Sequence, residues 1–230
     1  MITPVVIEPL SLLWCIGIGV SIAISFLILQ IGIRIPPDTR RLLMIGMGII
    51  MISIEIAQQL YIYHLGLWNI QRSMPIHLCG IAGILAGIMM FKPNQDGFEF
   101  LALIGSPGAL HALLTPQLNH GDLTFLVLKY YIGHTGIILI PLFLAIVQGY
   151  RVRNYSWLRV VLLCQLLIIF IGSFNYFTGS NYMYLLERPS VNSPMIIGNW
   201  PWYILGFEIL GIVHIVGFYF GYRSMKPLPY

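Results

Sequence analysis

Long apolar runs, separated by short polar stretches, form the dominant pattern of the chain. Seven of these runs approach the ~20 residues that an α-helix needs to cross a hydrocarbon core of roughly 30 Å. In hydrocarbon every backbone N–H and C=O group needs an internal partner, so runs of this length predict helices. The predicted spans are, approximately, residues 10–33, 42–64, 76–91, 98–114, 124–147, 157–179 and 201–221. We therefore predict an all-α, polytopic membrane protein, a seven-transmembrane-helix bundle that forms a single integral membrane domain over residues 1–230.

Composition agrees with this pattern. Hydrophobic residues make up 58% of the chain and charged residues 9%, whereas a soluble domain carries about 25% charged residues. The segment before the first span has no lysine or arginine and no small-residue cleavage site follows, so we expect no cleaved signal peptide. Cys15, Cys79 and Cys164 all fall inside predicted spans, so a disulfide framework is not indicated.

The cations are divided unequally between the two ends of the predicted bundle. Only Arg72 and Arg188 lie on one side, and Lys129 falls within span five. The other side carries Arg34, Arg40, Arg41, Lys92, Arg151, Arg153, Arg159, Arg223 and Lys226. By the positive-inside rule we expect an outside N-terminus and a cytoplasmic C-terminus in the cell (plasma) membrane. The net charge of +4 thus reflects topology signals, and we expect no nucleic-acid partner.

The polar residues within the spans gather in the outer half of the membrane. At 1.5 Å per residue, Lys129 and His134 lie about 8 and 15 Å down span five, and Glu208 about 10 Å down span seven. At similar depths lie Glu55, Gln58, Gln59, His77, Cys79, His111, Ser173 and Asn175. A charge at mid-bilayer costs about 2.5–3.5 kcal/mol. The sequence therefore predicts that these side chains converge on a polar cavity open to the outer leaflet.

Equal depth suggests two neutralising pairs, Lys129 with Glu208 and Glu55 with His134. The alternative is that such pairs only hold helices together. Residues 77 and 79 would point about 200° apart on a helix, so they are not expected to pair directly unless Pro75 leaves the helix start unwound.

Several smaller features bear on packing. Glycines four residues apart, Gly83 with Gly87 and Gly217 with Gly221, favour close helix contacts. Pro107–Gly108 predicts a break in span four.

The longest connection, residues 180–200, is expected to be an ordered, turn-rich outer loop. Cys15 and Cys164 are interpreted as small apolar fillers, and His214 as a histidine bonded to a carbonyl.

Five motifs carry a family resemblance: "MPIHLCGI", "SPGALHALLTPQL", "KYYIGHTGIILIP", "FTGSNYMYLLERP" and "GNWPWYI". From about residue 70 to 210 the chain resembles the YwaF-type bacterial integral membrane proteins. It is more distantly similar to the animal transmembrane protein 164 family, described as a cysteine-centred phospholipid acyltransferase. The resemblance implies a membrane bundle and, more weakly, lipid acyl chemistry.

Matching the motifs residue by residue implies roles for a few positions. His77 matches the histidine that follows the animal cysteine, and His134 matches the histidine of the Tyr-Tyr motif. A second motif is matched by Gly108, Ala109, Leu110 and Pro116, and a third region by Asn181 and Trp200 or Trp202. The animal nucleophile position is Ile76 here. Cys79, three places on, either serves the same pocket from the next turn or the activity is absent.

Three functional hypotheses follow. The first is a lipid-modifying acyl transferase or hydrolase, with Cys79 as nucleophile, His134 as base and His77 orienting it or stabilising an oxyanion. The candidate substrate-binding residues are Glu55, His111, Lys129, Asn175, Asn181, Trp200, Trp202 and Glu208. The second is a protein that binds or transports a small solute or ion in the same cavity. The third assigns His77, His111 and His134 to zinc. We expect membrane lipids as partners, with no cofactor and no metal.

Overall fold

The structure, a computed structural model, describes residues 5–188 and 198–225. Its α-helices are α1 (Leu12–Arg34), α2 (Pro37–His64), α3 (Leu78–Phe91), α4 (Gln95–Phe100), α5 (Ser106–Leu114), α6 (Thr124–Ile146), α7 (Ser156–Thr178) and α8 (Trp202–Ser224). A π-helical turn, Leu101–Gly105, joins α4 to α5, and a 3-10 turn covers Tyr182–Tyr184. Two short strands, β1 (Val5–Val6) and β2 (Gln117–Leu118), pair antiparallel. The predicted all-α class is confirmed.

Six helical segments in the described ranges are long and apolar enough to cross a membrane: α1, α2, the continuous α4–α5 helix, α6, α7 and α8. The remaining predicted span, the third (residues 76–91), corresponds to α3, which has 14 residues and so extends about 21 Å. His77 precedes α3 in an extended conformation, and Pro93 follows its C-cap at Lys92. The multi-pass architecture is therefore supported, while the count of seven spans stays a prediction.

The predicted break at Pro107–Gly108 is wrong, because the helix continues through Pro107. A proline removes one N–H group and clashes with the carbonyl group four residues earlier, here that of Leu103. Leu103 lies in the π-helical turn, whose wider winding changes this contact. Ser106 Oγ also donates to the Leu101 carbonyl oxygen at 3.0 Å. The irregularity therefore precedes the proline, and the helix remains one element.

Close backbone approach holds α2 against α3. A Cβ atom added at Gly48 would lie 3.0 Å from the Gly87 carbonyl oxygen, and one at Gly87 would lie 2.7 Å from Ile52 Cδ1. This supports packing at one of the two predicted glycine pairs. Gly217 and Gly221 have nothing within 4 Å of an added Cβ atom, so they make no such contact among the described residues.

The continuous α4–α5 helix lies at the centre of the bundle, since 72% of its apolar window is buried, against 6% for α1 and 11% for α7 and α8. At the end predicted to be cytoplasmic, arginines connect the loops. Arg41 donates to the carbonyl oxygens of Met90 and Phe91 at 3.2 and 2.7 Å, and Arg153 binds the carboxylates of Glu99 and Asp96. The loops after α1, α3 and α6 therefore share one end. Lys226 lies outside the described residues, and the direction of insertion stays a prediction.

The opposite end is covered by loops that contact one another. The Tyr182 hydroxyl group donates to the Ile70 carbonyl oxygen at 2.7 Å and accepts the Met74 N–H at 2.9 Å. The β1–β2 pair joins the N-terminal segment to the loop after α5. The N-terminal segment and the loops after α2, α5 and α7 thus form a cover over the helix ends that carry the predicted site.

Candidate functional site

Two cavities meet below this cover. The polar cavity has a volume of about 370 Å³ and lies among α2, α3, α6 and the loops after α2 and α5. The apolar cavity has a volume of about 500 Å³ and lies among α3, α5, α7 and α8. Three residues line both cavities: His77, Cys79 and Tyr184. The histidine and cysteine of the "PIHLCGI" stretch therefore lie at the junction of a polar and an apolar space.

An ion pair lies in the polar cavity. Lys129 Nζ on α6 is 2.8 Å from Glu55 Oε2 on α2. The expected pairs of Lys129 with Glu208 and of Glu55 with His134 are therefore wrong. Depth along a helix does not fix the direction in which a side chain points around the helix axis, and α8 places Glu208 in the apolar cavity instead. Glu55 and Lys129 still neutralise each other inside the bundle, which avoids the cost of exposing either charge to lipid.

His134 has a defined tautomer. Its Nδ1 atom lies 2.7 Å from the Tyr130 carbonyl oxygen. A carbonyl oxygen only accepts, so Nδ1 carries the proton of the neutral ring and Nε2 carries the lone pair. The Tyr130 ring packs against the imidazole at a centroid distance of 4.2 Å, and the Tyr130 hydroxyl group donates to the Ala112 carbonyl oxygen at 2.7 Å. His134 is thus oriented as a proton acceptor beside the polar cavity.

His77 has the opposite tautomer. The Met183 N–H donates to His77 Nδ1 at 3.2 Å, so the proton of the neutral ring is on Nε2. Tyr182 and Tyr184 pack against the ring at centroid distances of 5.0 and 6.1 Å. His77 is therefore a fixed hydrogen-bond donor, whereas His134 is an acceptor.

Cys79 lies in the first turn of α3 and is a free thiol. His77 precedes the helix in an extended conformation, so the segment around Pro75 is not helical, and no hydrogen bond joins His77 to Cys79 among the described residues. The Lys129 ammonium group interacts electrostatically with both Cys79 and His134. Cys79 is therefore a thiol at the junction of the two cavities, near the charge of Lys129.

Ile76, which the motif resemblance matches to the animal nucleophile position, packs against the cluster of Ile171, Tyr182 and Leu185 and lines neither cavity. Within this chain the thiol nearest that position in sequence, Cys79, is the one at the cavity junction. The structure thus separates a packing role at residue 76 from a cavity position at residue 79.

His111 and Glu208 line the apolar cavity. His111 Nε2 is 2.8 Å from His214 Nε2, and His214 Nδ1 is 2.7 Å from the Leu210 carbonyl oxygen. The expected His214–carbonyl bond is therefore confirmed. The zinc hypothesis is wrong for His77, His111 and His134, because His111 and His134 line different cavities. In residues 5–188 and 198–225, no group of three potential ligands is placed to hold a metal ion.

The remaining predicted binding residues lie outside both cavities. Asn175 is fully buried and bonds to Ser180 and to the backbone of Tyr182. Asn181 bonds to the backbone of Leu186 and Glu187. Trp200 and Trp202 are 59% and 66% exposed. The two asparagines organise the loop after α7, and the two tryptophans suit the membrane interface.

Among the titratable side chains that line the polar cavity, sequence reasoning missed four: Arg72, His120, Tyr130 and Tyr184. Arg72, His120 and Tyr184 lie in loops, whereas the depth argument considered only predicted spans. Their signals were present in the histidine-bearing loop "TPQLNHGD" and in the "FTGSNYMYLLERP" motif.

Comparison with protein-family models gives a match over most of the chain. The family model of the TMEM164 family aligns with residues 6–219. No curated protein and no solved structure matches the chain. The resemblance to the animal family is confirmed, while the YwaF-type grouping stays a prediction. The match extends from β1 to α8 and includes both cavities, and the chain belongs to the TMEM164 family.

Proposed function

We propose that the protein is a membrane-embedded enzyme that transfers or hydrolyses an acyl chain of a membrane lipid, with Cys79 as nucleophile. The position of Cys79 at the junction of the two cavities carries this proposal. A phospholipid has two matching parts, since its ester group joins an apolar acyl chain to the polar headgroup region. A lipid with its chain in the apolar cavity and its headgroup in the polar cavity brings the ester to Cys79.

The two histidines supply the proton chemistry. His134 Nε2 accepts the thiol proton, and the Cys79 thiolate attacks the ester carbonyl carbon. The His77 Nε2–H group donates to the oxyanion of the tetrahedral intermediate. As the carbon–oxygen bond to the glycerol breaks, the leaving alkoxide takes the proton from the His134 imidazolium group, and a thioester remains on Cys79. An acceptor alcohol, or water, then gives its proton to His134, attacks the thioester and releases the thiol.

Other predicted site residues support this arrangement from a distance. Asn175 and Asn181 hold the loop that carries the Met183 N–H group, and this group fixes the His77 ring. The Lys129–Glu55 pair lies on the headgroup side, and His111 and Glu208 lie on the acyl-chain side. These residues are assigned to positioning and substrate contact.

Trapping the thioester tests the proposal. Purified protein in vesicles is incubated with a phospholipid that carries an alkyne-tagged acyl chain, and the tag on the protein is measured before and after hydroxylamine. We expect hydroxylamine-sensitive tagging of the wild type. In Cys79→Ala tagging should fall by at least about 10²-fold, since the nucleophile is lost.

Cys164→Ala provides the matched control, because Cys164 is a thiol that also lines the apolar cavity. This variant should be tagged like the wild type. Full tagging of Cys79→Ala would contradict the proposal. A wild type that takes up no tag but binds or transports a small solute would favour the binding or transport hypothesis.

A further inference from the structure

The polar cavity contains an excess of positive charge. Arg72 and Lys129 line it, together with one carboxylate, Glu55. The Lys129 charge is offset by Glu55 at 2.8 Å. Among the described residues the Arg72 side chain has neither an ion-pair nor a hydrogen-bond partner. The acidic residues Glu8, Asp122 and Glu187, at the same end of the bundle, do not line the cavity. One positive charge therefore remains uncompensated.

Arg72, His120 and Lys129 all line the polar cavity. His120, in the loop after β2, interacts electrostatically with both Lys129 and Arg72, and burial together with these two charges lowers the pKa of His120. His120 also interacts with His77 at the cavity junction. Converging basic groups repel one another, and a bound anion relieves this repulsion.

The cavity also offers neutral hydrogen-bonding groups. Ser73, Gln117 and Asn119 line it beside Arg72 and His120. Gln58 Oε1 is buried and has no hydrogen-bond partner among the described residues. A planar guanidinium group with its donors free matches two oxygens of a phosphate group.

We propose that the polar cavity selects a phospholipid with an anionic headgroup, whose phosphodiester oxygens bind Arg72 and His120, over a zwitterionic phospholipid. The proposal rests on the proposed function, because that function places the headgroup in this cavity. A zwitterionic headgroup adds an ammonium group, and the carboxylate available to it, Glu55, is already paired with Lys129. A headgroup with a net charge of −1 complements the cavity without displacing this pair.

Binding of short-chain lipids to the purified full-length protein tests the selection. Dihexanoyl phosphatidylglycerol and dihexanoyl phosphatidylcholine share chains and phosphate and differ in net charge. Apparent dissociation constants come from the shift of the thermal unfolding midpoint on titration. We expect the anionic lipid to bind about tenfold more tightly. Equal binding of the two lipids would overturn the proposal.

Variants assign the selection to named side chains. Arg72→Gln should weaken binding of phosphatidylglycerol about tenfold and leave phosphatidylcholine unchanged, and His120→Ala should act in the same direction. Arg72→Lys, which keeps the charge, should retain part of the preference. Arg188→Gln is the matched control, since Arg188 is an exposed cation at the same end that does not line the cavity. Loss of the preference in Arg188→Gln, or an unchanged preference in both Arg72→Gln and His120→Ala, would overturn the assignment.

Two further comparisons separate the possible outcomes. Inorganic phosphate, titrated in the same way, should bind with less than a tenth of the affinity of dihexanoyl phosphatidylglycerol. Equal affinity would overturn the choice of a lipid. Selective binding without tagging of Cys79 in the thioester experiment would support the headgroup site and reject the proposed enzyme. Tagging without charge selection would reject the headgroup site alone.

Discussion

Single backbone groups fix the tautomers of His77 and His134. A backbone N–H group donates to His77, and a backbone carbonyl oxygen accepts from His134. Neither ring therefore needs a carboxylate to orient it, which agrees with the pairing of Glu55 to Lys129 instead. A donor and an acceptor on the same cavity are the two functions that attack on an ester requires.

His134→Ala should lower acyl transfer by about 10²–10⁴-fold, the usual contribution of a general base. The fold should persist, because the Tyr130 carbonyl oxygen keeps its helical N–H partner when the imidazole is removed. The measurements are the rate of tag transfer to an acceptor lipid in vesicles and the thermal unfolding midpoint. His64→Ala, at the exposed end of α2, is the control and should change neither. Unfolding of His134→Ala, with activity persisting in the folded fraction, would make His134 a structural residue.

At the residue scale the sequence predicted which side chains lie deep but not which ones meet. Glu55, Lys129, His134 and Cys79 reach the polar cavity, as their depth suggested. The expectation of one shared cavity is wrong, because His111 and Glu208 line the apolar cavity and Ser173 and Asn175 line neither. The partner of each charge depends on the rotation of its helix, which tertiary packing sets. Within α1, α6, α7 and α8 apolar residues surround the helix on nearly all sides, so no polar stripe shows which face is inward. In α2, by contrast, Glu55, Gln58 and Gln59 share one face.

At the scale of elements, the turn after α7 connects the two cavities to the cover. The side chain of Asn175 on α7 makes three hydrogen bonds of 2.8–2.9 Å to Ser180 and Tyr182, and Tyr182 in turn bonds to the loop after α2. This places the 3-10 turn Tyr182–Tyr184 so that Met183 reaches His77. One buried amide thus fixes a loop that supplies part of the cavity wall.

Asn175→Ala should lower the free energy of unfolding by about 2–4 kcal/mol, because it leaves several buried polar groups without partners. Acyl transfer should also fall, since the loop no longer holds His77. Ser173→Ala is the matched control, because Ser173 is a small polar residue on the same helix that bonds only to its own helix at Ile169. It should change stability by less than about 0.5 kcal/mol. Equal stability of the two variants would contradict the role of Asn175.

Element positions were largely predictable, and the departures have local causes. The predicted span 124–147 matches α6 (Thr124–Ile146) closely. The span predicted from residue 42 begins earlier, at Pro37, because proline suits the first turn and Asp38 favours a helix N-terminus. Those residues are polar, so hydropathy alone did not include them. The π-helical turn depends on contacts in the bundle centre and has no signal of its own in the sequence.

The whole molecule has two chemically different ends. One end joins its loops through arginines that bind backbone carbonyl oxygens and carboxylates, including Arg41 and Arg153. The other end carries the cover, both cavity walls and Cys79. The cation imbalance along the sequence predicted this division. The positive-inside rule depends only on the number of lysines and arginines in each loop, so it needs no knowledge of packing.

The orientation of these ends can be tested by labelling two introduced cysteines in intact cells with a membrane-impermeant maleimide. Asp122 lies in an exposed loop at the end with the cover, and Asn154 lies in the exposed loop before α7 at the arginine-rich end. Because the arginine-rich loops resist translocation, we expect Asp122→Cys to react in intact cells and Asn154→Cys to react only after permeabilisation. The parent protein, with Cys15, Cys79 and Cys164, provides the background signal. Reaction of Asn154→Cys alone in intact cells would reverse the orientation and place the cavities towards the cytoplasmic leaflet. Reaction of both variants from the same side would contradict a bundle with two separate ends.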